Sequence, residues 1–369
     1  MSAVRLALIG CGGIATQNYI GALPACPEAR ITVVCDPDPE RRERARRATG
    51  ATRVTADYRE AAAAEEADAV IVAAPNALHA PIVRAALAAG KHTLCEKPLA
   101  MNYPEARELA ELAEQAGVRH MTAFTYRFVP AMRWLMELTR RGAFGRILHF
   151  RSCRLQDWGG RFLGWRQLRR MAGTGEIGDM LSHRVDFARQ LAGEFEKLVA
   201  SARQFVPLRG GAVSELEDWV GVLGAFRSGA TGVMESSKTA AGHNESWRSR
   251  DYVEINGEEG SAVYFTERWN ELCLGKPGGE GLSAESVPRE YWLWPGSRRD
   301  PEQGNPLLTF RYDQLVEFVQ AVREQRDCAA TFFDGAAAQA VMDAIVISAE
   351  EERWVRLSEL DRKGDNPRG

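Results

Sequence analysis

Lysine, histidine and cysteine are all scarce in this chain of 369 residues. The formal net charge is −3, so no basic surplus indicates a nucleic-acid partner or an anionic membrane surface. The seven cysteines are scattered without a C-x-x-C pair, which argues against a disulfide framework and against a zinc site. No cluster of His, Cys and Asp has the spacing of metal ligands, so we predict no metal.

Long hydrophobic runs are missing as well. The apolar run at 6–9 leads directly into glycines and is too short for the core of a signal peptide. No apolar stretch in the sequence has the length expected of a membrane-spanning helix. We therefore predict a cytoplasmic protein with no membrane partner.

The chain up to residue 124 alternates between short apolar runs and helical segments. Strands are predicted at 4–9, 31–35, 69–73, 92–95 and 119–124. Continuous apolar runs are typical of parallel strands that are buried on both faces. The alternation predicts an α/β Rossmann domain with a doubly wound parallel sheet over 1–124.

Beyond residue 124 the pattern changes. Longer β-like runs from 198 onward are separated by turn signals such as Ser228-Gly229 and Asn256-Gly257. The stretch 275–306 is rich in Gly and Pro and is predicted to be a loop, and two helices follow it. We predict an α+β domain with a large, mainly antiparallel open sheet over 125–361, and a frayed tail over 362–369.

The first strand leads into the motif GCGGIA, which runs from Gly10 to Ala15 and fits the G-x-G-x-x-G/A pattern. Gly10 would allow the tight turn, Gly12 would let the backbone approach a pyrophosphate, and Ala15 would pack closely against the strand. The helix that begins around Gly13 and Ile14 would direct its first N–H groups at the phosphates. A glycine-rich turn without a ligand is the alternative.

Asp36 follows the second predicted strand, where a carboxylate would hydrogen-bond the adenine ribose hydroxyls. A negative charge there would repel a 2′-phosphate, so we predict NAD, with NADP the less favoured cofactor. Two alternatives stay open. Asp36 or Asp38 could cap the next helix, and Arg41 and Arg42 could bind a 2′-phosphate.

The predicted strand at 92–95 leads into Glu96-Lys97-Pro98. Ligands in an open α/β sheet bind beyond the carboxyl ends of the strands. Lys97 is one of only six lysines, against 41 arginines, and would reach the reacting end of a dinucleotide there. A charged pair at a strand end, with Pro98 starting a turn, is the alternative.

Four motifs together resemble the glucose–fructose oxidoreductase, inositol dehydrogenase and rhizopine-catabolism family, known as Gfo/Idh/MocA. They are, in chain order, the glycine motif, Pro75-Asn76-Ala77-Leu78-His79, Glu96-Lys97-Pro98 and Asp179-x-x-x-His183. The resemblance covers nearly the whole chain. Tyr126-Arg127-Phe128-x-Pro130 and Trp165-Arg166 look most similar to the branch that oxidises sugars and glycosides, which includes levoglucosan and glucoside 3-dehydrogenases.

The resemblance implies an NAD-binding Rossmann domain and a second domain whose open sheet packs against a partner subunit, as a homodimer or homotetramer. It also implies a cis peptide between Lys97 and Pro98. Further cofactor-binding residues would be Pro75, Asn76, His79, Glu96 and Lys97, with Asn76 and His79 near the nicotinamide. A helix cap and a first-turn histidine are the alternative for those two.

Asp179 and His183 stand four residues apart in a predicted helix and so share one face. A carboxylate beside a histidine raises its basicity and fixes its orientation. The resemblance implies that His183 exchanges the hydroxyl proton, that Asp179 orients it and contacts the substrate, and that Lys97 polarises the hydroxyl or relays a proton. Whether His183 or Lys97 accepts the proton stays open, and a surface ion pair is the alternative for the pair.

Two positions depart from the family pattern. Gly173-Thr174-Gly175 replaces a run of three glycines, and Leu181 replaces a glycine between Asp179 and His183. These departures alter the shape of the pocket and leave the substrate open.

Tyr126, Arg127, Trp165 and Arg166 supply aromatic faces and forked donors that suit sugar hydroxyls, with core packing and salt bridges as the alternative. We predict an NAD(P)-dependent oxidoreductase that acts on a secondary hydroxyl of a sugar or glycoside, of the C3 type. An inositol or other cyclitol dehydrogenase is the first alternative. A redox-neutral glycosidase with bound NAD, or a non-catalytic NAD-binding regulator, is the alternative from another class.

Overall fold

The computed structural model describes residues 2–160, 163–243 and 250–363. Two compact units are present. Unit 1 comprises 1–128 and 293–337, and unit 2 comprises 129–292 and 338–369. The tail predicted at 362–369 lies outside the described residues, apart from the end of the last helix.

Unit 1 is built on a parallel sheet. Its strands are β1 (Val4–Ile9), β2 (Ala29–Cys35), β3 (Arg53–Thr55), β4 (Ala69–Val72), β5 (His92–Cys95) and β6 (His120–Thr122). Their order is β3-β2-β1-β4-β5-β6, and every neighbouring pair is parallel, which confirms the doubly wound sheet. The chain passes from β1 to β2 on one side and later to β4 on the other, so the carboxyl ends of β1 and β4 form the switch point at which ligands bind in such sheets. The edge strand β3 has no apolar run and was not predicted.

Helices connect the strands of both units. In chain order they are α1 (Pro39–Thr49), α2 (Tyr58–Ala62), α3 (His79–Ala88), α4 (Tyr103–Gln115), α5 (Pro130–Arg140), α6 (Arg169–Ala172), α7 (Ser182–Ala192), α8 (Pro306–Thr309), α9 (Tyr312–Glu324), α10 (Phe332–Glu351) and α11 (Ser358–Lys363). Shorter 3-10 or π-helical turns lie at Ala15–Ile20, Leu23–Ala25, Asn76–Leu78, Thr125–Phe128, Trp165–Gln167, Ile177–Leu181 and Arg289–Tyr291. Side chains cap several helices, and Asp38 and Asn102 begin α1 and α4 by accepting backbone N–H groups.

The core of unit 1 includes residues from the far end of the chain. Phe332 and Ala336 at the start of α10 are buried in the same apolar cluster as Val70 and Leu109. The predicted domains were contiguous, with a boundary at residue 124. The compact units differ because the segment 293–337 returns to unit 1, where its apolar residues fill the core.

The helix α10 is long and apolar enough to span a membrane by length and composition. Of its most apolar 18-residue window, 56% is buried inside the structure, which is the pattern of a core helix in a globular unit. The prediction that no stretch reaches such a length is therefore corrected. Gln339 and Asp343 interrupt the apolar run in the sequence, and this concealed its full extent.

In the described part of unit 2, nine strands form one sheet. The further strands of the chain are β7 (Ile147–Leu155), β8 (Phe195–Arg203), β9 (Leu208–Arg209), β10 (Ala212–Val213), β11 (Trp219–Phe226), β12 (Thr231–Ser237), β13 (Arg250–Gly257), β14 (Ser261–Phe265), β15 (Glu271–Gly275), β16 (Ser283–Ser286) and β17 (Val355–Arg356). The order is β16-β15-β14-β13-β7-β12-β11-β8-β17, and β9 and β10 form a separate hairpin. All neighbours except β7 and β12 are antiparallel, so the predicted sheet is confirmed. The strand β16 lies within the stretch that was predicted to be a loop.

Candidate functional site

The carboxyl ends of four strands of unit 1 lie at one level of the sheet. Ile9 of β1 pairs with Cys35 of β2 and with Val72 of β4, and Val72 pairs with Cys95 of β5. The residues that directly follow these strand ends are Gly10, Asp36, Ala73 and Glu96. The sheet therefore brings the predicted cofactor-binding segments to one edge.

The glycine-rich loop has the geometry that its motif predicts. Gly10 has φ +92°, and a Cβ on this residue would lie 2.5 Å from the carbonyl oxygen of Ala73. Only glycine is compatible with that approach. A Cβ on Gly12 or Gly13 would meet no atom within 4 Å, so open space lies beside that part of the loop.

The helix after this loop begins with N–H groups that precede its first hydrogen bond. That bond joins the Thr16 N–H to Gly12 O at 3.0 Å. The N–H groups of Gly13, Ile14 and Ala15 come before it in the helix. Ala15 is fully buried, as close packing against the sheet requires. Donors at a helix N-terminus beside open space suit a pyrophosphate, so the loop fits the phosphate part of a dinucleotide.

Asp36 is buried and braces the glycine-rich loop. Its carboxylate accepts the Cys11 N–H at 2.8 Å and the Asp38 N–H at 2.9 Å. Asp38, and not Asp36, caps α1, which decides between the two candidate caps. Arg41 pairs with Asp38 at 3.2 Å, and the Arg42 guanidinium donates to the backbone oxygens of residues 36 and 37. Both arginines are thus engaged, so the site suits NAD better than NADP.

His79 joins the loops that follow β4 and β5. Its Nδ1 lies 2.7 Å from Pro98 O, and its Nε2 lies 2.9 Å from Ala74 O. Burial lowers the pKa of His79, although both carbonyl groups favour the protonated ring. The neutral ring therefore donates one hydrogen bond, to the carbonyl oxygen of one loop, and packs its other nitrogen against the second loop. Asn76 is also buried and opens the short turn that precedes α3.

Glu96 and Lys97 directly follow β5. The Tyr19 hydroxyl donates to Glu96 Oε1 at 2.8 Å, and the Gln314 side chain donates to the Tyr19 hydroxyl at 3.1 Å. Burial raises the pKa of Glu96, which the Tyr19 hydrogen bond and the Lys97 charge partly oppose. The peptide between Lys97 and Pro98 is cis, as the resemblance implied. Tyr19 and Gln314 belong to no motif, and only the fold brings them to Glu96.

Tyr126 and Arg127 are both buried in unit 1. The Arg127 guanidinium donates to Ala329 O and pairs with the Asp334 carboxylate at 3.1 Å. The Tyr126 ring centre lies 5.8 Å from that of Phe310. These contacts match the alternative of packing and ion pairing for the two residues.

Asp179 and His183 lie on one continuous helical segment of unit 2. Asp179 belongs to the π-helical turn Ile177–Leu181, which runs directly into α7 and its second residue, His183. His183 is buried, whereas the Asp179 side chain is 18% exposed. Leu181, which departs from the family pattern, is fully buried and therefore shapes the interior beneath this segment.

Two further predicted residues lie beside Asp179. The Arg166 guanidinium is 3.7 Å from the Asp179 carboxylate and 4.4 Å from the centre of the Trp165 ring. Its side chain is 39% exposed. The structure thus brings together a carboxylate, a forked donor and an aromatic face, which is a set of groups that can bind a polyhydroxylated ligand by hydrogen bonds and stacking.

Buried charged residues underlie this part of unit 2, and no motif revealed them. Arg154 and Arg184 both pair with Asp251, and all three are nearly without exposure. Glu176 is equally buried and accepts a hydrogen bond from the Ser236 hydroxyl. These residues come together through the pairing of β7 with β12 and β13, and a single sequence carries no signal of that pairing.

Comparisons with known proteins cover both units. Residues 4–124 match the family described as "Oxidoreductase family, NAD-binding Rossmann fold", and residues 132–263 match the GFO/IDH/MocA C-terminal domain. The chain is 32% identical to levoglucosan dehydrogenase of Pseudarthrobacter phenanthrenivorans over 94% of each chain. It is 26% identical to myo-inositol 2-dehydrogenase of Thermotoga maritima, over 97% of this chain and 99% of the relative. The solved structure of levoglucosan dehydrogenase in complex with NADH and levoglucosan has a TM-score of 0.88 and 32% identity, covering 96% of this chain and all of that chain.

Proposed function

The chain belongs to the Gfo/Idh/MocA family of NAD-binding oxidoreductases, and from this premise we propose that it oxidises a secondary hydroxyl of a sugar or glycoside, of the C3 type. The observation that carries the proposal is the 32% identity to levoglucosan dehydrogenase over 94% of each chain. The inositol dehydrogenases of Thermotoga maritima and Rhizobium meliloti are less similar, at 26% and 25% identity.

In this proposal NAD binds at the strand ends of unit 1. The N–H groups of Gly13, Ile14 and Ala15 would hold the pyrophosphate, Gly12 would let the backbone approach it, and Gly10 forms the turn before them. The Asp36 carboxylate accepts two N–H groups already and has lone pairs left for the ribose hydroxyls. When bound, NAD accepts the hydride from the carbon that carries the hydroxyl.

The nicotinamide end is assigned to the segments after β4 and β5. Pro75 and Asn76 contribute as part of the first loop, and Glu96 supports the second loop from inside the unit. His79 contributes by packing between the two loops, with its ring nitrogens 2.7 Å from Pro98 O and 2.9 Å from Ala74 O.

Three side chains carry the proton chemistry in this proposal. His183 takes the hydroxyl proton, Asp179 holds its ring and contacts the substrate, and Lys97 stabilises the negative charge that develops on the hydroxyl oxygen. Proton transfer to a positioned group contributes about 10²- to 10⁴-fold to the rate. The partial exposure of Asp179 and the place of Lys97 directly after a strand end support these roles.

Trp165 and Arg166 are the proposed substrate contacts with the strongest support. An indole face suits the apolar face of a sugar ring, and a guanidinium donates to two hydroxyls at once. Arg166 faces the Asp179 carboxylate and lies over the Trp165 ring. Tyr126 contributes through the packing of its ring against Phe310, and Arg127 through its ion pair with Asp334 within unit 1.

The experiment that tests the proposal is NADH formation by the purified protein. Levoglucosan, glucose, glucosides and inositols are each offered with NAD and with NADP. We expect turnover with levoglucosan or a glucoside, at a much higher kcat/KM with NAD than with NADP. Magnetic resonance of the product tests the ring position, because oxidation at C3 leaves a ketone there.

The other outcomes separate the alternatives. Preference for inositols would favour the cyclitol dehydrogenase, to which the Thermotoga and Rhizobium relatives point. Bound NAD with no NADH formed from any substrate would overturn the proposal in favour of a redox-neutral glycosidase or a regulator. Glycoside cleavage without net NADH would identify the first of these.

We also propose that the protein is a homodimer or homotetramer that associates through the open face of the sheet in unit 2. Leu223 on β11 and Val233 on β12 are direct cross-strand neighbours and are 51% and 40% exposed. Exposed aliphatic side chains side by side favour an interaction surface. Light scattering during gel filtration measures the assembly, and Leu223→Arg is expected to give monomers. A wild-type monomer would contradict the proposal.

A cytoplasmic location is part of the proposal as well. It is supported by the seven cysteines, none of which forms a disulfide. Fractionation of cells that express the full chain tests it, and recovery in the membrane or secreted fraction would contradict it.

A further inference from the structure

Glu176 is a buried acidic residue to which the proposed dehydrogenase chemistry assigns no role. It directly precedes the π-helical turn Ile177–Leu181 and stands three positions before Asp179. Its exposure is 0%. Oε1 accepts a hydrogen bond from the Ser236 hydroxyl, whereas Oε2 has no hydrogen-bond partner among the described residues.

Two cations lie near Glu176, and each is engaged with another group. Arg154 on β7 pairs with Asp251. The Lys238 Nζ, just after β12, lies 5.1 Å from the centre of the Trp158 ring. In the described part of the chain, neither cation forms an ion pair with Glu176.

Glu217 faces the same turn from the segment before β11. Its main-chain oxygen accepts the Glu176 N–H at 3.2 Å. Its carboxylate accepts the N–H groups of Gly175 at 2.7 Å and of Ile177 at 3.1 Å. Burial raises the pKa of Glu217, and these amide donors oppose the rise. Glu176 has one hydroxyl donor in place of two amides, so its ionised form is less well supported.

These surroundings favour the neutral form of Glu176. A buried carboxylate without an ion pair, and with one oxygen lacking a donor, is costly, whereas a neutral carboxylic acid is much less so. Burial raises the pKa of Glu176 to about 8. The Asp179 charge adds to the rise, while Lys238, Ser236 and Arg154 oppose it. The residue therefore carries a proton at neutral pH.

We propose that Glu176 is a positioning residue for the Asp179–His183 pair, a neutral carboxylic acid that places no second anion near Asp179, whose own charge faces the Arg166 guanidinium at 3.7 Å. The inference rests on the proposed roles of Asp179 and His183. A second anion beside Asp179 favours the protonated form of His183, and a protonated histidine accepts no proton from the substrate. In this proposal the ionisations of Glu176 and His183 are coupled through Asp179, which stands three residues after Glu176 and four before His183.

The kinetic test compares the wild type with Glu176→Gln, a neutral side chain of the same shape, across pH 6–10 in kcat/KM. We expect the wild-type kcat/KM to rise with pH over a broad range. The slope of log kcat/KM against pH should stay below one, the value for the loss of a single proton. The kcat/KM of the Glu176→Gln variant should rise at lower pH and follow a single ionisation. Its plateau should lie within about threefold of the wild-type value.

Ser236→Ala supplies a matched variant that touches neither substrate nor cofactor. The Ser236 hydroxyl lowers the pKa of Glu176, so its removal moves the ionisation of Glu176 to higher pH and shifts the profile toward that of Glu176→Gln. Profiles that superimpose for all three proteins would overturn the proposal. A uniform loss of activity in Glu176→Gln without a change of profile would also overturn it, since that is the result of a purely structural role.

A stability measurement tests the protonation without any turnover. The pKa of Glu176 in the folded chain, about 8, lies above its ordinary value of 4.5. The folded state therefore binds the proton more tightly, and the wild type loses stability as the pH rises from about 4.5 to 8. Glu176→Gln escapes this loss, so its melting temperature should exceed that of the wild type by roughly 5–10 °C at pH 8, and by little near pH 4.5.

The two measurements distinguish the possible failures. A difference in melting temperature that does not change with pH would mean that Glu176 is ionised in the fold, which overturns the proposal. A pH-dependent difference in a protein that oxidises no sugar or cyclitol would instead refute the proposed function, while the neutral acid at Glu176 would stand.

Discussion

A single methyl group has opposite consequences at Gly10 and Gly12, and this difference tests the cofactor site. An alanine Cβ at Gly10 would lie 2.5 Å from Ala73 O and 2.8 Å from Ala74 N, on a residue with φ +92°. At Gly12 it would meet no protein atom within 4 Å. We therefore expect Gly10→Ala to damage the fold, and Gly12→Ala to damage ligand binding alone.

The magnitudes follow from these contacts. The left-handed conformation costs an L-residue roughly 1–2 kcal/mol. Overpacking adds about 1–3 kcal/mol, because the colliding atoms at Gly10 belong to the backbone and have no rotamer to escape into. Gly10→Ala should therefore lower the free energy of unfolding of unit 1 by about 2–5 kcal/mol, which corresponds to a melting temperature lower by roughly 5–15 °C.

For Gly12→Ala we expect a change in the free energy of unfolding within about 0.5 kcal/mol. The NAD dissociation constant should rise at least about tenfold, or ~1.4 kcal/mol, because the methyl group fills the space that the pyrophosphate must approach. Titration calorimetry with NAD and thermal melts of the apoprotein measure the two quantities separately.

Gly50→Ala is the matched control. Gly50 ends α1 with φ +69°, and a Cβ there would meet nothing within 4 Å. The Gly50→Ala substitution should lower the free energy of unfolding by about 1–2 kcal/mol, which is the cost of the left-handed conformation alone, and should leave the NAD affinity unchanged. A Gly12→Ala protein that binds NAD like the wild type would refute the location of the phosphates. A Gly10→Ala protein as stable as Gly50→Ala would refute the steric reasoning.

Three further predictions concern single residues. Lys97→Met should lower kcat/KM for sugar oxidation by about 10²- to 10³-fold and should raise the NAD dissociation constant by a much smaller factor. A variant that keeps most of its turnover in the NADH assay would contradict the role of Lys97. Burial holds the pKa of His79 below its ordinary value of 6.5, so unit 1 should lose stability as the pH falls below that value, because the unfolded chain takes up a proton that the folded chain refuses. In urea unfolding between pH 5 and 7, the free energy of unfolding of His79→Gln should depend less steeply on pH than that of the wild type, by the equivalent of up to one bound proton. The same pH dependence in both proteins would count against the buried neutral ring. Asp251→Asn should destabilise unit 2 by about 3–5 kcal/mol in chemical denaturation, because the two buried guanidinium groups of Arg154 and Arg184 lose their shared anion. Wild-type stability of that variant would mean that the cluster contributes little.

Local patterns sufficed for much of the fold and for the positions of the motifs. The strands Val4–Ile9 and His92–Cys95 lie at the predicted bounds, and the predicted turn at Ser228-Gly229 separates the strands Trp219–Phe226 and Thr231–Ser237. Each is marked by neighbouring residues alone, through a continuous or alternating apolar run, a capping side chain or a turn. The glycine motif could be interpreted for the same reason, because the φ that it requires and the helix that follows are properties of one short segment.

Contacts between distant residues were decided only by the tertiary structure. The sequence left two aspartates as candidates for the cap of α1, and the fold chose Asp38 because the Asp36 carboxylate binds the N–H of Cys11 from another loop. The return of 293–337 to unit 1 depends on apolar residues that fill a core formed far earlier in the chain.

The same holds for the groups that support the site from within. Tyr19 hydrogen-bonds Glu96, and Ser236 hydrogen-bonds Glu176, across separations of 77 and 60 residues. A side chain's residue type and its local spacing determine which chemistry it can perform. Whether it is charged, and what it can reach, depends on burial and on partners that the chain brings together only when the sheets form.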